Sequence, residues 1–185
     1  MIGANAQASL DRLLEMGLRT ALEPAEGRAL DIARGDPPAA AGPASSMVVL
    51  MIASHGFRIV TALHFPRTDA VRAHFERLGR MTAGDPSAQA FDDAISESAN
   101  MCCGAINREI GRFFDYTGMS TPHIIDSRSG PHLDRLTHHH LRHYRIVAEY
   151  RAVFHASLCA FAHTPMDFVW EPETAPDTTG ELELF

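Results

Sequence analysis

The chain has 185 residues, of which 45% are hydrophobic and 21% charged, and it carries a formal net charge of −7. That length predicts one domain with a real core, and a second full domain is not expected. The acidic balance excludes a surface built to neutralise phosphates, so nucleic acid and acidic partners are not expected. All sixteen basic residues are Arg. No run reaches the length of a membrane span, and the N-terminus lacks the basic-then-apolar order of a secretory signal, so a cytoplasmic location away from membranes is expected. Cys102, Cys103 and Cys159 are odd in number and lack metal-type spacing, which predicts reduced core thiols.

In chain order, Leu10, Leu13, Leu14, Leu18 and Leu22 recur at helical spacing and predict an amphipathic helix over 9–22, with Ser9 as its N-cap. Residues 23–45, including "RGDPPAAAGPASS", are too rich in Pro, Ala and Gly for a regular helix and predict a linker or loop, with a brief strand at "ALDIA". In "SMVVLMIASHGFRIVTALHF" the period changes. Two β-branched apolar runs flank Ser54-His55-Gly56, which predicts strands at 46–53 and 57–65 and a turn with Gly56 at positive φ. The first run is apolar at nearly every position, which predicts a strand central in the sheet or covered on both faces.

Pro66 and Thr68 open a helix through Leu78, with Val71, Phe75 and Leu78 on one side. A long helix is predicted over 86–114, its apolar stripe running Phe91, Ile95, Ala99, Cys102, Ile106, Ile110, Phe113. "GMSTPHIIDS" reads as a turn and a short strand, and "RSGPHLDRLTHHHLRH" as a polar loop with one helical turn. "YRIVAEYRAVFHASLCAFAH" predicts a second hairpin turning near 150–152, without the Gly or Asn that would secure the turn. "TALHFPRTDAV" and "LCAFAHTPMDFV" each leave a hairpin through His and Pro toward a helix-like start, either a weak repeat or two unrelated strand ends. The acidic tail over 173–185 predicts fraying.

The outer face of the long helix is unusual. Asp93, Glu97, Asn100, Gly104 and Asn107 are spaced by four, three, four and three residues, so they share one face. A solvated face mixes cations and anions, whereas this line has no cation before Arg108, and its Asn and Gly residues are poor helix formers. It reads either as a charged solvent face with interspersed Asn, or as a low-profile surface for docking a partner.

The segment "DAISESANMCCGAINREIG", followed by "STPHIID", resembles the signature of the CheC/CheX family of chemotaxis phosphatases. That signature has Asp or Ser, Glu after three intervening residues, Asn after two more, and Pro a little over twenty residues later. Asp93, Glu97, Asn100 and Pro122 stand in that order, and Gly104 stands where the family commonly has "Nxx(x)G". The preceding hairpin and "TDAVRAHFERLGRM" resemble the element order before the motif in CheX, so the likeness spans 46–162. A single copy of the motif resembles CheX, whereas CheC and FliY carry two.

The resemblance implies hydrolysis of the aspartyl phosphate of a CheY-like receiver domain. Glu97 would pair with the receiver's lysine, and Asn100 would hold a water in line with the phosphorus. A neutral amide suits that task, because a carboxylate there would be repelled by the phosphoryl group. Asp93, Gly104 and Asn107 would contact the partner. Mg²⁺ would belong to the receiver, so no cofactor of this protein's own is expected, and by analogy the chain would form a homodimer. The same architecture also serves partner-binding modules without catalysis, and Asn100 favours the enzyme.

The expected fold is α+β: a mostly antiparallel sheet from two hairpins, packed against the long helix and the helix over 67–80. The expected organisation is an N-terminal helix over 1–22, a linker over 23–45, a CheX-like domain over 46–172 and a tail over 173–185. His139 and His143 would share a face on a helix and could then hold a metal ion. Consecutive histidines splay apart and no carboxylate stands at ligand spacing, so a loop or strand start without metal is expected there. No "GxSxG" or P-loop occurs.

Overall fold

The structure, a computed structural model, describes residues 1–26, 29–36 and 45–172. The centre of the predicted linker (27–28 and 37–44) and the acidic tail over 173–185 lie outside the described residues.

Among the described residues, three helices lie on one face of an antiparallel sheet. The helices are α1 (Ala4–Leu22), α2 (Asp69–Arg77) and α3 (Ala88–Ile110). The strands are β1 (Asp31–Arg34), β2 (Ser45–Ala53), β3 (Phe57–Pro66), β4 (Gly118–Met119), β5 (His123–Asp126), β6 (His140–Val147) and β7 (Val153–Ala162). Their spatial order is β1-β6-β7-β3-β2-β4, and β5 pairs with the first half of β2, so β4 and β5 together form one edge. This is the expected α+β architecture. Both predicted hairpins are present, β2 with β3 and β6 with β7.

Alternation decides which side chains enter the core. Val48, Leu50 and Ile52 of β2, Ile59 and Phe65 of β3, and Phe154, Ala156 and Leu158 of β7 face the helices and are fully or almost fully buried. The other face has a smaller apolar cluster of Met47, Ala62 and Leu133, closed by a 3₁₀ segment (Ser127–Arg135) laid across the sheet. The apolar first half of β2 is therefore covered on both faces, although β2 is second from the edge rather than central.

α1 begins five residues before its predicted cap. Gly3, at the N-cap, has no side chain to accept a bond, and Asp167 substitutes for it: its Oδ1 accepts from the Ala6 N–H at 3.0 Å. Ser9 is instead buried inside the helix, where its hydroxyl donates to the Phe168 carbonyl and accepts from the Trp170 N–H. The predicted cap is an anchor for the segment after β7. Among the described residues that segment forms no helix, whereas the matching exit from β3 does lead into α2, capped by Thr68.

Two turns differ from expectation. Gly56 does not have positive φ; it is Gly because a β-carbon there would lie 2.8 Å from the Thr164 Oγ1. In the second hairpin the left-handed position is taken by Arg151, at φ 59°, so the missing Gly or Asn is replaced by a residue that bears some strain. The brief strand expected at "ALDIA" is β1, which pairs with β6. Its Arg34 meets Asp11 of α1 at 2.7 Å, and the same carboxylate bonds the buried His140 at 2.7 Å.

Candidate functional site

α3 is capped by Ser87, whose Oγ accepts from the Ala90 N–H. It is shorter than predicted at both ends: it ends at Ile110, and Phe113 lies beyond it, partly exposed against Phe168. Phe91, Ile95, Ala99, Cys102, Ile106 and Ile110 of the predicted stripe are all buried. Burial pushes the Cys103 thiol up to about 11 and raises Cys102 and Cys159 as well, so none of the three is a ready nucleophile.

Fixing the apolar stripe inward turns Asp93, Glu97 and Asn100 outward on one face, with Ser96 beside them. After α3 the chain turns and comes back along the edge of the sheet. Met119 pairs with Ile52 at the end of β2, and the Ser120 N–H and hydroxyl bond the Met51 carbonyl and N–H at 2.9 and 3.0 Å. Paired residues share a face, so Met119 points to the helix side of the sheet.

A groove of about 630 Å³ results, with Asp93, Ser96, Glu97 and Asn100 on one wall and Met119, Ser120, Thr121 and Pro122 on the other. Four sequence-predicted residues, Asp93, Glu97, Asn100 and Pro122, thus converge. Gly104 continues the helix face beyond the groove, and nothing lies within 4 Å of where its β-carbon would be. Asn107 departs from the expected line: its Oδ1 is buried and has no hydrogen-bond partner among the described residues.

Among the described residues, neither Glu97 nor Asn100 has a side-chain hydrogen bond or ion pair. Asp93 accepts one bond from Gln89 at 2.8 Å, and the neighbouring Asp92 is taken by Arg67. Beneath them, the half-buried Arg80 donates to the Ala21 carbonyl, the Ser98 hydroxyl and the Met101 sulfur, tying α3 to the end of α1. Burial lowers the Arg80 pKa, and the nearby Glu97 carboxylate partly restores it. The groove therefore offers two carboxylates that can take a cation, Asp93 and Glu97, and, one turn beyond Glu97, one carboxamide that can both donate and accept.

The histidine run is used elsewhere. His139 stacks on Phe161 at 4.6 Å, His140 bonds Asp11, and His143 bonds Ser157 at 2.8 Å. Among the described residues no group of three or more His, Cys, Asp or Glu is arranged to hold a metal. No described helix is long and apolar enough to cross a membrane.

No family profile matches the chain, and no curated protein matches it by sequence. Solved structures do match it. The chemotaxis protein CheX from Vibrio vulnificus aligns with a TM-score of 0.57 at 17% identity, over 85% of this chain and 100% of that one. This is a CheX-like fold. A chain of the CheX-CheY-BeF3-Mg complex from Borrelia burgdorferi aligns with a TM-score of 0.59 at 9% identity, over 83% of this chain and 96% of that one. A CheC-like superfamily protein from Shewanella sp. PV-4 gives 0.52 at 14% identity, over 86% and 99%.

In this CheX-like fold the groove is made by the longest helix and the edge of the sheet. Sequence reasoning missed Ser96, Met119, Ser120 and Thr121. The available signal was the motif itself, which places Pro122 a short stretch after Ile110 and so calls for it near the face that bears Glu97 and Asn100.

Proposed function

We propose that this protein docks on the phosphorylated receiver domain of a CheY-like response regulator and hydrolyses its aspartyl phosphate, in chemotaxis or a related two-component pathway of the cytoplasm. The observation that carries the reading is the pair Glu97 and Asn100: two side chains at the rim of one groove, facing Pro122, with no side-chain hydrogen bond or ion pair among the described residues. The CheX-like fold supports it, as does the similarity to a chain from a complex of CheX with CheY, BeF3 and Mg, since BeF3 is a stand-in for a phosphoryl group.

Glu97 accepts a charge-assisted bond from the receiver's active-site lysine and so orients the two proteins. Asn100, one turn further on, reaches the phosphoryl group and holds a water in line with the phosphorus. The water oxygen bonds to phosphorus as the bond to the aspartate oxygen breaks, giving inorganic phosphate and the free carboxylate. Asn100 adds no negative charge to a centre that already carries it. Mg²⁺ is held by the receiver. The homodimer implied by the resemblance is part of the same proposal, and Ile125, 39% exposed on the other face of β5, leaves apolar surface for it.

The test is the decay of phosphate on receivers loaded with acetyl phosphate, with wild type, Asn100→Ala and Glu97→Ala compared. Acceleration by the wild type, lost in Asn100→Ala and recovered at high concentration in Glu97→Ala, is the expected result. Equal activity in Asn100→Ala overturns the assignment of that residue. Binding without acceleration makes the protein an adaptor.

A further inference from the structure

The two walls of the groove differ in chemistry. On the α3 wall, Asp93 and Glu97 stand one turn apart, and among the described residues neither has an ion-pair partner. The opposite wall has no charge, and its apolar edge extends past the groove: Met119 is 37% exposed, Pro122 is half-buried, and Ile124 is 42% exposed. Register fixes where Met119 and Ile124 point. They lie opposite Ile52 and Val48, both fully buried on the helix side, so their own side chains project on that side, toward α3. Exposed apolar side chains on a sheet edge are ordinarily blunted by charge on the edge itself. Here the charge of the groove is on the facing helix, and the exposed Asp126 farther along the edge is taken by Arg128, so the groove is complementary to a partner that is basic on one side and apolar on the other.

Resting on the receiver-docking reading, we propose that Asp93 and Met119 determine which receivers this protein accepts. The accepted receiver presents a basic side chain about 5–6 Å, one helical turn, from the lysine taken by Glu97, and beside it an apolar side chain that packs on Met119. Neither residue touches the reacting atoms. They act on affinity, and the Asp93 contribution is screened by salt.

The experiment measures binding of the full chain to beryllofluoride-loaded receivers from the same genome, at two salt concentrations, with Asp93→Asn, Met119→Ala and Glu97→Ala. For receivers that bind wild type, Asp93→Asn and Met119→Ala each raise Kd by about five- to twenty-fold. Asp93→Asn also flattens the salt dependence, which a purely structural role would not do. In turnover the loss appears in the receiver concentration needed for half-maximal rate. Reversing the matching basic residue of the receiver to Glu, with Asp93→Arg opposite, restores binding.

If Glu97→Ala weakens binding while Asp93→Asn and Met119→Ala leave Kd unchanged, the docking reading stands and the selectivity proposal is overturned. A fall in rate at saturation with Kd unchanged overturns it too, by placing these residues in the chemistry. If no receiver binds wild type, the docking reading and this inference fail together.

Discussion

Gly17 of α1 and Cys102 of α3 meet with no side chain between their backbones: a β-carbon on Gly17 would lie 2.8 Å from the Cys102 carbonyl oxygen and 2.9 Å from the Ile106 Cγ1. This contact is on the buried back of the helix whose other side bears Glu97 and Asn100. α1 thereby sets how closely α3 is held, and it belongs to the same core as the sheet.

Two effects oppose each other in Gly17→Ala. Helix propensity favours Ala by about 1 kcal/mol, while forcing a methyl group into a packed backbone crossing costs about 1–3 kcal/mol. The contact is with a backbone carbonyl, which cannot rotate away, so the second effect wins and the variant loses up to about 2 kcal/mol. Urea unfolding followed by circular dichroism measures this. A more stable variant would show that the crossing is looser than described.

Gly104→Ala has the opposite sign. Its β-carbon would meet nothing within 4 Å, so the substitution gains helix propensity without a clash and stabilises the chain by about 0.5–1 kcal/mol. If the face serves docking, the same methyl group stands between α3 and the receiver and weakens binding. Stabilisation with unchanged receiver affinity would remove Gly104 from the docking surface.

The contrast between these two glycines shows what was legible in the sequence. α3 could be read because its burial is one-sided, so Phe91 to Ile110 recur at steps of three and four, and the residues left outside fall into line. The β2–β3 hairpin could be read within one residue of each end, because both strands are apolar runs bounded by small polar residues. What could not be read depends on residues distant in sequence. The start of α1 is set by Asp167, 161 positions from the Ala6 N–H it accepts. The place of Met119 in the groove is set by its register with Ile52. Asn107 fits the periodicity, yet its amide oxygen is buried, which spacing alone does not reveal.

Acid sensitivity should originate in large part on the far face of the sheet, with burial also lowering the pKa of His74 on the helix side. His64 is 4% exposed, its Nε2 has no hydrogen-bond partner among the described residues, and a β-carbon on Gly130 of the 3₁₀ segment would lie 2.8 Å from its Cε1. His155 is directly opposite on β7, with His143 on the next strand. Burial, followed by the repulsion of these two rings, lowers the His64 pKa from 6.5 to about 4, and burial lowers His143 and His155 as well. The unfolded chain therefore takes up protons between pH 6.5 and 4 that the folded chain refuses. Stability is complete above 6.5 and falls as the pH drops through this window, by about 3 kcal/mol for His64 alone. Asp11 and Glu109, whose pKa values are lowered, titrate below most of this range. His64→Leu, which keeps the site filled and apolar, should flatten the fall in urea-unfolding free energy between pH 7 and pH 4.5. A slope identical to wild type would place the acid sensitivity elsewhere.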